Sequence, residues 1–396
     1  MPKANDYETI VIGLGAMGSA SVYQLSKKGN KVLGIDQFAP PHKIGSTHGD
    51  TRITRQAIGE GEEYVPLSLH SYKVWDELEK KAGKKLLTTT GGLIIGSKNA
   101  KNFHGSNNFL QTTIDTAKKF NISHSVLSTD ELRKKFPQFR IEDGYIGYYE
   151  DNAGFLSPEL CVETQIELAK QQGAQINLNE KVKQLLTLTD GSVEVSTDKG
   201  VYNANKVIVS AGPWINQFFP EYADLFKVYR QVLYWFDIKE DITTYLPENF
   251  PIFIFVGTGE DDIYGFPAID GPQGGLKVAF EEYLIDTTPE NVNREISREE
   301  IKRVYKKYIT KHLPGVSDKC IKAVSCLYTV TPDSKFVIDT HPEYSQIIIA
   351  SPCSGHGFKH SAAIGEALSE LAVTGESQFD LNAFKIDRFT KNPEFI

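Results

Sequence analysis

Three groups of residues in this chain have types and spacing that could do chemistry. The first is Gly13-x-Gly15-x-x-Gly18 with Asp36 further on. Glycines so placed permit a tight turn, close approach of the backbone to a pyrophosphate, and tight packing of helix on strand, while the acid would accept hydrogen bonds from a ribose. The flanks agree. YETIVI is a β-branched run, SASVYQLSKKG has helical spacing ending at Gly29, and KVLGID ends on Asp36. Strand, glycine turn, helix, strand and acid together read as a dinucleotide site, with NAD and FAD both open; a glycine turn that merely lets helix and strand pack is the bland alternative.

The second group is cationic. His48, Arg52 and Arg55 lie in or just after the irregular stretch QFAPPHKIGSTHGDTRITR. If that stretch begins a helix, the two arginines share a face and could clamp a carboxylate, although surface arginines are equally compatible with the spacing. Lys277 sits in LKVAF, where spacing alone predicts an exposed strand lysine, because lysine is seldom buried without a partner. SPCSGHGFKHSA carries Gly355, His356, Gly357 and Lys359 between a strand and a helix. Backbone N–H groups at such a helix start favour an anion, and Lys359 there opposes the helix dipole. The third group is the four cysteines, Cys161, Cys320, Cys326 and Cys353, with no CxxC pair and no zinc-ligand spacing. They read as reduced thiols, and Cys326 by its spacing alone as a buried one.

The elements that must position these groups are legible in outline. Residues 64–84 and 158–172 have helical spacing, as does the charged stretch 298–312. Residues 87–96 read as a hairpin or bent strand pair, residues 181–209 as three strands, and the aromatic and β-branched stretch from about 224 to 285 as a largely antiparallel sheet. QIIIA at 346–350 is a strand followed by a glycine-bearing loop and a helix to about residue 373.

Length and composition bound the class. A chain of 396 residues, 40% hydrophobic and 24% charged, has the makings of two domains with sizeable cores. A net charge of −8 argues against a nucleic-acid partner. No run of eighteen apolar residues occurs, so the reading excludes a membrane span and places the protein in the cytoplasm.

Taken in order, PPHKIGSTHGDTRITRQAIGEGEEYVPL, GPW near 212, YGFP at 264–267, GLK at 275–277, CLYTVTPDSKFVID and SGHGFKHS resemble the motifs of the sarcosine oxidase and N-methyltryptophan oxidase family of flavin enzymes, from about residue 7 to residue 390. The resemblance implies an α/β fold: a Rossmann-like FAD-binding domain made of residues 1–86, 152–222 and 325–396, and a substrate domain with a large mixed or antiparallel sheet made of 87–151 and 223–324. It implies oxidation of a secondary amino acid with O2 as acceptor, by a monomer. Another N-alkyl amino acid, a cyclic imino acid, a glycated amino acid and a dehydrogenase using a different acceptor remain alternatives.

Roles carried over from the family follow residue by residue. Cys326 matches the cysteine that forms a thioether to the flavin, and Lys277 the lysine that promotes reaction of reduced flavin with oxygen. Arg55 and Lys359 match the pair that binds the substrate carboxylate. His48 and Arg52 resemble residues on the oxygen-reactive flavin face, Tyr264 and His356 residues around the substrate, and Tyr328 is a weaker match. Ser46, Thr47, Val182, Gly212, Gly355, Gly357 and Lys359 join Gly13, Gly15, Gly18 and Asp36 as implied cofactor contacts. One position departs from the pattern: four residues after the lysine, where the family carries a histidine, this chain has Glu281. Either the pocket gains a carboxylate, or the local register has shifted in the stretch 268–274.

Overall fold

The computed structural model describes residues 6–97, 102–103, 106–257 and 262–391. The strand Tyr7–Ile12 is buried over its last four residues, as suits a β-branched run covered on both faces. It lies between Val32–Ile35 and Val201–Val209, parallel to both; Gln175–Asn177 extends this sheet on one side and Ile347–Ser351 on the other. Val193–Thr197 and Val182–Thr187 add an antiparallel meander, and Val337–Thr340 an antiparallel edge. The helix Ala16–Lys27 packs on this sheet and on helices Pro158–Gln171 and Ser361–Val373. Its approach to the last is close because Gly365 has no side chain; a Cβ there would come within 2.3 Å of Ala20 Cβ.

A second, nine-stranded sheet runs in the order Asp286–Thr287, Lys227–Ile238, Leu276–Ala279, Ile263–Phe266, Ile252–Val256, Gly92–Ser97, Tyr145–Glu150, Ser125–Leu127, with Val316–Val330 along the other side of Lys227–Ile238. Every pair is antiparallel except Ile252–Val256 with Gly92–Ser97. Its core is aromatic, with Phe236, Phe250, Phe253 and Tyr245 fully buried. The strand Val316–Val330 passes residue 325 without interruption and belongs wholly to this sheet.

Most expected elements are present: helices Val65–Ala82 and Pro158–Gln171, the three strands between 182 and 209, and the helix Ser361–Val373. One expectation is narrowed and two are corrected. Of the two readings of residues 87–96 the hairpin is excluded and two successive strands remain, because Leu87–Thr89 pairs with Gly154–Leu156 in a small third sheet while Gly92–Ser97 joins the large one. The segment after the GSTHGD loop is not a helix: Arg52–Thr54 is a strand of that small sheet, so Arg52 and Arg55 do not meet on a helical face. The stretch 298–312 is not a uniform surface helix, since it breaks into a π turn at Tyr305–Ile309 and buries Val304, Tyr308 and Ile309.

Candidate active site

A cleft of about 1290 Å³, counted out to its mouth, runs along the carboxyl ends of the parallel strands. Ile12, Asp36, Ser210 and Ser351, each at or just beyond a strand end, line it, which is where open α/β sheets bind ligands. Gly13 has φ +84°, and a Cβ there would fall 2.6 Å from Ser210 O. At Gly18 a Cβ would lie 1.7 Å from Gly13 O. The turn therefore exists only with glycine at both positions. Gly13 and Gly15 line the cleft; Gly18 does not, and serves the packing of helix on turn.

The helix Ala16–Lys27 begins with no side-chain cap and no acid in its first turn, so its N-terminal dipole faces the cleft uncompensated. Asp36 accepts from Leu14 N at 2.7 Å and Phe38 N at 2.8 Å, which fixes the turn and leaves further lone pairs toward the cleft. Burial raises its pKa against these two bonds. Ser46, Thr47, Val182, Gly212, Gly355 and Gly357 line the same cleft. A glycine-cradled helix start, an acid at the second strand end and an apolar far wall that includes Val162, Trp214 and Phe358 fit a dinucleotide with a large planar head.

A second chamber, about 540 Å³, adjoins the first: Arg52, Tyr328, Gly355 and Phe358 face both. The small sheet supplies Arg52, the large sheet supplies Tyr264, Lys277 and Tyr328, and the turn before the last long helix supplies His356 and Lys359. Lys277 is 2% exposed, contrary to the expectation from its spacing. Its Nζ donates to Gly49 O at 2.6 Å, Thr51 O at 2.9 Å and Thr51 Oγ1 at 3.0 Å, and lies 4.4 Å from the Phe266 ring centroid. Burial and then Arg52 push its pKa well down, and the two carbonyls and the hydroxyl satisfy the amine's hydrogen-bonding capacity.

Arg55 and Lys359 are both buried in the chamber wall, and both contact one carboxylate, Glu60. Arg55 Nη2 lies 2.6 Å from Glu60 Oε2 and Lys359 Nζ 3.5 Å from Glu60 Oε1. Lys359 also donates to His356 O at 2.8 Å, and burial lowers its pKa to about 8. Sequence reasoning missed Glu60. GEGEE offers three carboxylates, of which Glu62 pairs with Lys119 and Glu63 with Lys335 toward the outside, and nothing in the string marks Glu60 as the inward one. It missed Glu150 too, which is fully buried and accepts from Gln56 N at 2.7 Å, Ala57 N at 3.1 Å and Tyr148 Oη at 2.8 Å, so that it fixes the backbone leaving Arg55.

His356 lines the chamber with its pKa lowered to about 4 by burial, its Nε2 3.2 Å from Ser334 O and its ring stacked on Phe336 at 4.7 Å. Tyr264 and Tyr328 touch through their hydroxyls at 3.0 Å. Glu281 lines the chamber as well.

Two sequence-predicted residues stand one layer behind the walls. His48 is buried, with its pKa lowered to about 3 by burial and then by Arg52 and Lys277. Cys326 is 1% exposed; its Sγ is 3.7 Å from Arg52 Nη2 and 3.5 Å from Ser46 O, both belonging to cleft-lining residues. Burial raises its thiol pKa and Arg52 opposes that. Cys353, which the sequence did not single out, lines the cleft itself. All four cysteines are free, and among the described residues no group of His, Cys, Asp and Glu could hold a metal and no helix is long and apolar enough to cross a membrane.

Residues 8–371 match the family described as FAD dependent oxidoreductase. The chain is 35% identical over 388 residues to monomeric sarcosine oxidase of Streptomyces avermitilis, covering 98% of this chain and 99% of that one. It is 35% identical over 386 residues to N-methyl-L-tryptophan oxidase of Yersinia pestis, covering 97% and 100%. Among solved structures, the open form of NikD, an unusual amino acid oxidase essential for nikkomycin biosynthesis, superposes with a TM-score of 0.82 at 22% identity, covering 96% of this chain and 98% of that one, which is a likeness of fold.

Proposed function

The chain belongs to the FAD dependent oxidoreductase family, and on that premise we propose that it oxidises a secondary amino acid, sarcosine or another N-methyl amino acid, to an imine that water hydrolyses, with O2 reduced to H2O2. The observation that carries the reading is the placement of two buried cations, Arg55 and Lys359, on the wall of a chamber that adjoins the dinucleotide cleft.

FAD in the cleft would supply the two-electron acceptor for the C–N bond and the route of those electrons to oxygen. The residues present fit it. Gly13, Gly15 and the helix start would hold its pyrophosphate, Asp36 a ribose, and Ser46, Thr47, Val182, Gly212, Gly355 and Gly357 the remaining length. Cys326 is the proposed point of covalent attachment.

Arg55 and Lys359 bind the substrate carboxylate, and thereby fix the amine and its adjacent C–H bond toward the shared wall formed by Arg52, Tyr328, Gly355 and Phe358. To do so they exchange Glu60 for the substrate. Apolar and aromatic groups, Ile254, Phe266 and Phe358, exclude water from the reacting bond. Lys277, hydrogen-bonded to three oxygens, stabilises the negative charge that develops on oxygen during its reduction. Arg52 and His48 stand beside it, and His48 stays neutral. The proposed setting is a monomer in the cytoplasm.

The test is an anaerobic titration of the purified flavoprotein with sarcosine and a panel of N-methyl amino acids, followed by peroxide assay on admission of air. Bleaching by one of them with stoichiometric peroxide is the expected result. A flavin that no amine bleaches would remove the oxidase reading and leave the cofactor-binding fold.

A further inference from the structure

The second chamber, beside the dinucleotide cleft, is lined by two acids, Glu60 and Glu281. Arg55, Lys359 and Glu60 account for the end that takes the carboxylate. Glu281 lines the same chamber but comes from a different element, the turn after the strand Leu276–Ala279. Resting on the amino acid oxidase reading, we propose that Glu281 determines specificity, accepting hydrogen bonds from a donor group, an ammonium or hydroxyls, that the substrate carries in addition to its carboxylate and oxidised amine.

The site is built rather than incidental. Tyr283 Oη donates to Glu281 Oε2 at 2.7 Å and so orients the carboxylate. The backbone beyond it is clamped from the sheet: Gln231 Nε2 donates to Glu282 O at 2.8 Å and Gln231 Oε1 accepts from Glu282 N at 3.1 Å. Gln231 is itself buried in the strand Lys227–Ile238. A carboxyl on a fixed turn, facing a chamber, offers an acceptor in a defined place. Burial pushes its pKa up to about 8, so ionisation is opposed, and a donor on the substrate offsets that penalty. An apolar substituent offers the carboxyl no hydrogen bond, which is the arrangement by which a polar pocket discriminates against a ligand lacking the matching group.

Four amines distinguish the cases: sarcosine, N-methyl-L-valine, Nα-methyl-L-lysine and N-(2-hydroxyethyl)glycine. The wild-type enzyme is expected to show kcat/KM for the lysine or hydroxyethyl compound at least about tenfold above that for sarcosine and N-methylvaline. Glu281→Gln keeps an acceptor oxygen and loses the charge. A preference for the cation should therefore fall about tenfold relative to sarcosine, whereas a preference for hydroxyls should fall less, and Glu281→Leu should remove either. Equal kcat/KM for all four in the wild type, or loss of activity by one common factor in both variants, would overturn the assignment while leaving the oxidase standing. A flavin that none of the four amines reduces would overturn both.

Discussion

Arg55 and Lys359 are joined through a single carboxylate: Arg55 Nη2 is 2.6 Å from Glu60 Oε2, and Lys359 Nζ 3.5 Å from Glu60 Oε1. The part of the chamber assigned to a substrate carboxylate thus already contains one from the protein.

Competition with that internal carboxylate can be measured without turnover. In Glu60→Gln a non-reacting carboxylic acid such as acetate should bind several-fold more tightly, read from the perturbation of the flavin spectrum. Weaker binding in the variant would mean that Glu60 orders the cations instead of competing for them. Arg55→Met should raise KM for the amino acid on the order of 100-fold, because truncating one partner of a buried ion pair costs about 2–5 kcal/mol.

The pH profile should separate binding from the chemical step. An amine must be unprotonated to lose hydride, so kcat rises with pH through the alkaline range. Lys359, lowered to about 8 by burial, loses its charge above that pH in the free enzyme, so kcat/KM should turn over there while kcat does not. Lys359→Arg keeps the charge and should abolish the turnover. A flat kcat from neutral to alkaline pH would contradict the requirement for a neutral amine.

Lys277→Met should slow flavin reoxidation on the order of 100-fold and leave anaerobic reduction nearly unchanged, since its Nζ touches the loop carbonyls Gly49 O and Thr51 O and not the carboxylate end of the chamber. Stopped-flow measurement of the two half-reactions decides it. Equal slowing of both would withdraw the proposed role.

Covalent attachment has two candidate thiols. Cys326→Ser should release the yellow colour to the supernatant after acid precipitation, and Cys353→Ser should not. The opposite pattern would transfer the linkage to Cys353, which lines the cleft directly.

Acid should destabilise the fold through buried neutral histidines. His48 is lowered to about 3 and His356 to about 4, both chiefly by burial, against about 6.5 in an unfolded chain. Between those values the unfolded state binds more protons, so stability falls as pH drops from about 6.5 toward 4, by on the order of a few kcal/mol. Thermal midpoints at fixed ionic strength across this range check the direction; His48→Asn should flatten the slope.

The readable parts of this chain were those governed by local periodicity. The glycine turn, the helix after it and the buried strand Ile347–Ser351 each announce themselves in a dozen residues. Arg52–Thr54 did not, because a three-residue strand carries almost no period and owes its form to pairing with Gly154–Leu156, a hundred residues away. Lys277 illustrates the same limit at the site. Its alternating neighbours predict an exposed side chain, and only the three oxygens of the loop 49–51, brought in by the fold, make its burial tolerable. Glu60 and Glu150 were invisible for a related reason: what distinguishes them from neighbouring acids is the direction they face.

Gln231 lies opposite Cys326 in the ladder between Lys227–Ile238 and Val316–Val330, and its amide grips the backbone of Glu282. Directly opposed residues in an antiparallel pair project from the same face. One rung therefore carries the proposed tether of the cofactor at one end and, at the other, the hinge pin of the turn bearing Glu281. The residue proposed to tether the cofactor and the clamp on the turn bearing Glu281 are thus neighbours on one face of the sheet, and a substitution at either position changes the packing surface of the other.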